Sequence, residues 1–488
     1  MLNRKSLSLI LLAGFILRVI YAYYAIDVIH PDEHFQILEP AYSVVHGFGY
    51  LAWEWDVGLR SWFGPSLFIP VIKLASYFDI NGGLDLVRWC KIFMALLFIP
   101  VGLQFNALLR QLKFSPHSIH LGNVLFALSA TSLVWTTVTF SETESLFALW
   151  FVLPWILKVF HKNEATFKEM FLSGLFIVVP FWFRLQMLAW IGPFVILSFF
   201  FFHLSLKRFF HLALGSLSAV FIQGLLDYFT WGTFLHSTMT NIKFNLFKDV
   251  ASTFGVDPWY GYGLKVFKDS LDPFFSYLLL FSVLIFIVLK MLKKTRTDHL
   301  DHPSLRVLWL SSLIFALVHS AIPHKEGRFL MSVFPILILT IVYCFEGISR
   351  SFKELQTSKI IPVGFSLLIL CSTYLLINRK FDPYLPDSYA SAIGPVYQHA
   401  KRNSLEGNVC TIGEHWSRGR GLLGYGFQGA LVEIQDEPVL NLSNIHNNCD
   451  YLISKRNILG DFSQSPFPRP ESIEDKFVGR YVYYLKKE

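Results

Sequence analysis

Apolar residues along this chain come in long blocks, without the alternating or 3.6-residue rhythm of half-buried elements in a soluble protein. Blocks nearly free of charge fall at 6–26, 89–109, 117–136, 143–160, 169–183, 187–206, 209–226, 273–291, 307–322, 329–347 and 360–377. Most are near the length of about 20 residues that a helix needs to cross a hydrocarbon core of about 30 Å. The pattern predicts an all-α polytopic membrane protein with about 11 transmembrane helices. The segment 64–78 is apolar but interrupted by Pro65, Pro70 and Lys73, and predicts an interfacial helix within the first loop. The first block follows Arg4 and Lys5 without a small-residue cleavage site, so it reads as a retained anchor and not as a signal peptide.

Cations give this array a direction. Arg4/Lys5, Arg110/Lys113, Lys158/Lys162/Lys168, Lys207/Arg208, the stretch from Lys290 to Arg306, and Arg350/Lys353/Lys359 occupy every second connection, which places them in the cytoplasm. The N-terminus is then cytoplasmic. The loop 27–88, the turn "TFSETES", the break at Arg184, the loop 227–272, the "HKEGR" segment and the C-terminal tail lie on the other side.

The tail, 378–488, changes character. Short β-like runs, "GNVCTIG", "ALVEIQ", "CDYLISK" and "RYVYYLKK", alternate with turn signals and predict a small noncytoplasmic α/β domain appended to a transmembrane module of residues 1–377. Cys410 and Cys449, the two cysteines of the tail, either pair in an oxidising compartment or sit as buried hydrophobes at strand starts. The tail also carries the sequon Asn441-Leu442-Ser443.

Composition agrees with a membrane protein: 53% of residues are hydrophobic and 16% charged, against about 25% charged in soluble domains. The net charge of +7 would suggest a nucleic-acid partner in a soluble chain. The tail holds thirteen Lys or Arg and thirteen Asp or Glu, so the excess belongs to the membrane part and that partner is excluded.

Four stretches carry chemistry. In "HPDEHFQILEPAYSVVHGFGYLAWEW", Asp32 and Glu33 hang just outside the first span, where paired carboxylates are costly unless used. His30, Asp32, Glu33 and His34 are ligand types, but Pro31 breaks the geometry that would align the histidines, so no metal site and no cofactor are expected. In "AIPHKEGRFLMSVFPI", His324, Lys325 and Arg328 could hold a phosphate by charge-assisted hydrogen bonds. In "PFWFRLQ", Arg184 and Gln186 interrupt an apolar stretch. In the loop that follows Asp227, Asn241, Asn245, Trp259 and Tyr260 offer amides and aromatic faces suited to sugar rings.

Together and in this order, "HPDEHFQ", "LDYFTWG", "DPWYGY" and "HKEGRFL" resemble the family 22 glycosyltransferases of the GT-C class, nearest the branch that adds the third mannose of the glycosylphosphatidylinositol (GPI) anchor. The resemblance covers roughly residues 7–380, and Gly327 stands where the family usually carries another charged residue. It implies an inverting α-mannosyltransferase using dolichyl- or polyprenyl-phosphate mannose, with a glycolipid or glycan acceptor and no protein partner assigned. The active site would be lumenal in the endoplasmic reticulum of a eukaryote, or periplasmic at a bacterial inner membrane. Asp32 is the expected general base, with Glu33 as its substitute. His324, Lys325, Arg328 and Arg184 are the expected donor-phosphate ligands. Substrate contacts are expected at His30, His34, Gln36, Glu39, Trp53, Asp227, Asn241, Asn245, Trp259, Tyr260 and Glu326. The alternative is a secondary transporter or a transporter of lipid-linked glycans, which would also need many spans with intramembrane charge.

Overall fold

A computed structural model describes residues 4–24, 32–49, 51–292 and 302–352, a few positions near 370, and short pieces of the tail that include its strands. The chain divides into two compact units. One comprises residues 1–21, 57–64 and 92–383; the other comprises 22–56, 65–91 and 384–488.

Among the described residues the structure is dominated by helices, and their boundaries follow local chemistry. The Phe167–Phe183 helix starts at a capping box in which Thr166 and Glu169 satisfy each other's backbone donors. The Pro273–Met291 helix starts at Asp272, whose side chain accepts from the Phe275 amide, with Pro273 at the position where its missing N–H is harmless. Ser205 caps the Leu206–Trp231 helix in the same way.

Six described helices are long and apolar enough to span a bilayer: Lys5–Tyr24, Asp85–Gln111, Ser141–Phe160, Leu206–Trp231, Pro273–Met291 and Pro303–Ala321. A seventh is obtained if Gly327–Val333 and Pro335–Ser351, which meet at 64°, count as one broken span. Among the described residues, then, the expected 11 do not all form single helices of spanning length, for a physical reason. Block 117–136 is cut by extended backbone at Ser129 into Pro116–Leu128 and Ala130–Trp135. Block 169–183 forms a helix of 17 residues, and block 187–206 one of 14, separated by the extended Arg184 and a turn at Leu185–Met187. Most of block 360–377 lies outside the described residues. The sequence shows the break at Arg184, between two blocks, but not the one at Ser129, which lies inside an unbroken apolar run.

The break at Ser129 is held by a residue of the first span. Arg18 is fully buried and stacks 3.5 Å over the ring of Phe98. Its Nη1 donates to the carbonyls of Gly14 (2.8 Å) and Ala127 (2.7 Å), and its Nη2 to that of Phe126 and to Ser132 Oγ. Nε donates to Thr136 Oγ1 at 2.7 Å. Thr373 Oγ1 donates to the Leu128 carbonyl. The carbonyls released where the helix stops are thus taken by side chains, as an apolar surrounding demands.

The Phe167–Phe183 and Leu206–Trp231 helices touch backbone to backbone. A Cβ at Gly174 would lie 1.9 Å from the Leu212 carbonyl oxygen, and one at Gly215 would lie 1.9 Å from that of Phe171. Glycine at both positions permits this approach.

The tail strands form one mixed sheet in the order β2-β1-β3-β5-β4, with β1 at Val409–Ile412, β2 at Leu431–Ile434, β3 at Tyr451–Ser454, β4 at Glu471–Phe477 and β5 at Arg480–Tyr484. β1 runs parallel to β2 and β3, pairing Val409 with Leu431 and with Tyr451, and β5 runs antiparallel to β3 and β4. Cys410 on β1 is joined to Cys449, two residues before β3, by a disulfide with a Cα–Cα distance of 5.6 Å. The sequon at Asn441 lies outside the described residues.

Candidate active site

In the second unit, the acidic motif forms a tight element. Asp32 precedes a π-helical turn, Glu33–Leu38, which leads directly into the Glu39–His46 helix. The turn buries every one of its side chains, while Asp32 itself is half-buried. Glu33 is fully buried with its carboxylate 3.5 Å from the equally buried Lys91 ammonium. His34 Nε2 lies 3.1 Å from Glu39 Oε2, and both are sealed from solvent. Gln36 Nε2 donates to Glu54 Oε1 at 3.5 Å, and Trp55 Nε1 donates to the Phe35 carbonyl at 3.0 Å. Trp53 is exposed. Of the two adjacent carboxylates, Glu33 is held in a buried ion pair and Asp32 is the more accessible. His30 lies outside the described residues.

In the first unit, charges converge at the head of the Ser141–Phe160 helix. Arg184 Nη1 lies 2.6 Å from Glu142 Oε1, and Arg328 Nη1 lies 3.8 Å from the same oxygen. Arg328 Nε also donates to Glu326 Oε2 at 2.5 Å, while Glu326 Oε1 is 3.0 Å from His324 Nε2. Ser141 Oγ accepts from Arg184 and donates to Glu142 Oε2. The ring of Phe329 lies under both guanidinium groups, at 5.0 Å and 5.2 Å. Arg184, Arg328 and Glu142 are each almost entirely buried. Two guanidinium groups are thus held in place by Glu142 and Glu326, an arrangement that orients their remaining N–H groups and could present them to an anionic ligand.

Lys325 has a different place. It is buried, and its ammonium donates to the carbonyls of Ile322 (2.6 Å), Asp257 (3.1 Å) and Pro323 (3.4 Å), tying the turn to the 257–265 loop. The loop answers through Lys265, whose ammonium reaches Asp257 Oδ2 and the Lys325 carbonyl, both at 2.7 Å. That hydrogen bond from Lys265 is the chief cause holding the Asp257 carboxyl below the usual aspartate range. Gly327 has a steric origin: a Cβ there would meet Ser270 Oγ at 2.1 Å and the Lys265 carbonyl at 3.0 Å.

A polar pocket opens beside this cluster, walled by Arg60, Ser141, Arg184, Gln186, Gln223 and Asn241 among others. Asn245 donates to Asn241 Oδ1 at 2.9 Å. Asp227 is buried with its carboxylate engaged by the Ser237 amide and hydroxyl and by Gln223, which makes it a support behind the pocket wall. Trp259 and Tyr260 are exposed and do not line the pocket. Among the described residues no three His, Cys, Asp or Glu side chains group in a way that could hold a metal ion.

Sequence reasoning missed Glu142 and Arg60. Glu142 had a signal, since "TFSETES" sets carboxylates at the head of an apolar block much as Asp32 and Glu33 follow one. Arg60 had none, because a lone arginine in a long loop looks like any solvated cation.

The profile of the Alg9-like mannosyltransferase family matches residues 9–417. The chain is 25% identical over 350 residues to GPI alpha-1,2-mannosyltransferase 3 of Danio rerio, covering 70% of this chain and 59% of that protein. It is 26% identical to GPI mannosyltransferase 3 of Candida albicans, covering 63% of this chain and 58% of the relative, and 27% identical to that of Yarrowia lipolytica, covering 77% and 69%. The chain thus spans a little under three fifths of the first two relatives. In fold it is similar to ArnT from Cupriavidus metallidurans bound to undecaprenyl phosphate, with a TM-score of 0.59 at 11% identity and coverage of 99% and 98%. The apo form of ArnT gives 0.55 at 13% identity, covering 96% of each chain. This is the GT-C fold, and the transporter alternative draws no support from these likenesses. The profile match covers most of the chain, which belongs to the Alg9-like mannosyltransferase family.

Proposed function

We propose that this chain is an inverting α-mannosyltransferase that moves mannose from dolichyl- or polyprenyl-phosphate mannose to a glycolipid acceptor of the GPI-precursor type. The observation that carries the reading is the buried cluster in which Arg184 and Arg328 share Glu142, set in a membrane-embedded helical unit. A lipid phosphate leaving group needs stabilisation of its charge as the glycosidic bond breaks, and preorganised guanidinium groups supply it without a metal.

The acceptor hydroxyl must lose its proton as it attacks the anomeric carbon, so a positioned carboxylate is required. Asp32 takes that role. Its accessibility supports it over Glu33, which is sealed in its ion pair with Lys91. Attack opposite the leaving phosphate converts the β-linked donor into an α-mannoside. Arg328, oriented by Glu326, and Arg184, oriented by Glu142, hold the phosphate, with His324 behind Glu326. Lys325 acts by fixing the turn that carries them. The reaction takes place on the noncytoplasmic face, the lumen of the endoplasmic reticulum in a eukaryote. The Cys410–Cys449 disulfide supports this side, because such bonds persist in oxidising compartments.

The test supplies polyprenyl-phosphate mannose labelled in the sugar, a mannosylated glycolipid acceptor and a chelator to the purified protein. Transfer should persist in chelator and fall by a factor of about 100 or more in Asp32→Asn. Transfer that needs added metal, or that survives the substitution while Glu33→Gln abolishes it, would refute the mechanism as written.

A further inference from the structure

The pocket beside Arg184 contains a second cation whose placement is built into the fold. Residues 57–64 are fastened to the Leu206–Trp231 helix at several points. Gly58 has φ +65°, and a Cβ there would lie 2.3 Å from His236 Nε2, so only glycine serves at this close approach. Trp231 Nε1 donates to the Arg60 carbonyl at 3.2 Å. Gln223 Nε2 donates to Ser61 Oγ at 3.1 Å, and the same amide reaches Asp227 Oδ1 at 3.0 Å. Arg60 is therefore gripped through its own carbonyl and through the next side chain, and it lines the pocket together with Arg184.

Arg184 offers a hydrogen-bond donor to the same pocket. It is 7% exposed, yet its Nε, also buried, finds no hydrogen-bond acceptor among the described residues. Its neighbour Glu142 is already shared with Arg328, and Arg60 adds like charge nearby. An unspent N–H on a buried guanidinium, next to a second arginine, is completed by an anion with several acceptor oxygens. The rest of the wall is of another kind. Gln186, Thr238 and Asn241 bear amides and a hydroxyl, which donate and accept, and Trp182 adds an aromatic ring.

We infer that Arg60 is a substrate-binding residue that seats, with Arg184, the phosphoryl group of a phosphate-linked sugar, whose hydroxyls meet Gln186 and Asn241. The identity of the sugar rests on the reaction proposed above, whereas the anion site stands on the pocket alone. A phosphoryl group could arrive on a lipid or as free phosphate, and the experiment separates the two.

Labelled undecaprenyl phosphate is bound to the full-length protein in detergent, and to R60Q and R60K after each is shown to be monodisperse with an unchanged unfolding temperature. R60Q should weaken binding by about tenfold or more, and R60K by less, since it keeps the charge but loses the fork. Competition by inorganic phosphate would assign recognition to the phosphoryl group itself; competition by undecaprenyl phosphate alone would assign it to the lipid-linked form. In the transfer assay R60Q should raise the KM for the donor and leave that for the acceptor unchanged. Undiminished binding by R60Q, or no binding of either phosphate by the wild type, would overturn the inference. Binding that depends on Arg60, in a wild type that transfers no mannose, would instead sink the proposed reaction and leave the site standing.

Discussion

Two cations of the same short motif have unlike jobs, and a pair of substitutions separates them. Arg328→Gln should raise the donor KM in a protein that still folds, since the guanidinium is held by carboxylates facing the cluster. Lys325→Met should instead lower the unfolding temperature, because it orphans carbonyls at roughly 1–3 kcal/mol each. Kinetics and thermal unfolding of both variants check the contrast. The neighbouring Asp257 gives a pH prediction. Its folded pKa is depressed, chiefly by the hydrogen bond from Lys265, so the stabilisation is present above the usual aspartate value and is lost as pH falls through the lower folded one. Hydrogen exchange in the 257–265 loop should therefore rise only in acid, below about pH 4. Faster exchange already at neutral pH would contradict this. At this scale the sequence was informative about types and poor about partners. "HKEGR" announced a charged turn, but nothing in the letters says that Lys325 faces carbonyls while Arg328 faces Glu142.

Among elements, the most consequential are the interruptions. Apolar blocks were legible because hydropathy sums over many residues, whereas the stop at Ser129 depends on a guanidinium from a segment more than a hundred residues away. Arg18→Met should remove that support and lower the unfolding temperature in detergent, leaving the Phe126 and Ala127 carbonyls without its donors at about 1–3 kcal/mol each. An unchanged unfolding temperature would show that the break holds itself. The strands divide in the same way. "GNVCTIG", "ALVEIQ", "CDYLISK" and "RYVYYLKK" coincide with β1, β2, β3 and β5. β4 escaped because Glu471, Glu474, Asp475 and Lys476 dilute its apolar pattern, as is common for a strand at the edge of a sheet.

For the molecule as a whole, composition and the order of the motifs identified the class, since a GT-C enzyme needs both many spans and charge at their ends. Sequence leaves the disulfide open, because two cysteines 39 residues apart carry no sign of their separation in space. Cys410→Ala should destabilise the sheet by about 2–5 kcal/mol, seen as increased proteolysis of the tail. Tail cleavage at the wild-type rate would mean that the sheet stands without the bond.

The glycine contact between the Phe167–Phe183 and Leu206–Trp231 helices sets more than their packing. Arg184 ends the first of these helices, and Arg60 is fastened to the far half of the second. The spacing of the two helices is set where Gly174 meets Gly215, and Trp182 Nε1 donating to the Ala219 carbonyl at 2.9 Å carries that spacing toward the pocket. A methyl group added at either glycine would have to push the two backbones apart, and with them the segments that carry Arg184 and Arg60, with no residue of the pocket altered. The distance between two arginines is in this sense set from afar, by two residues that have no side chain at all.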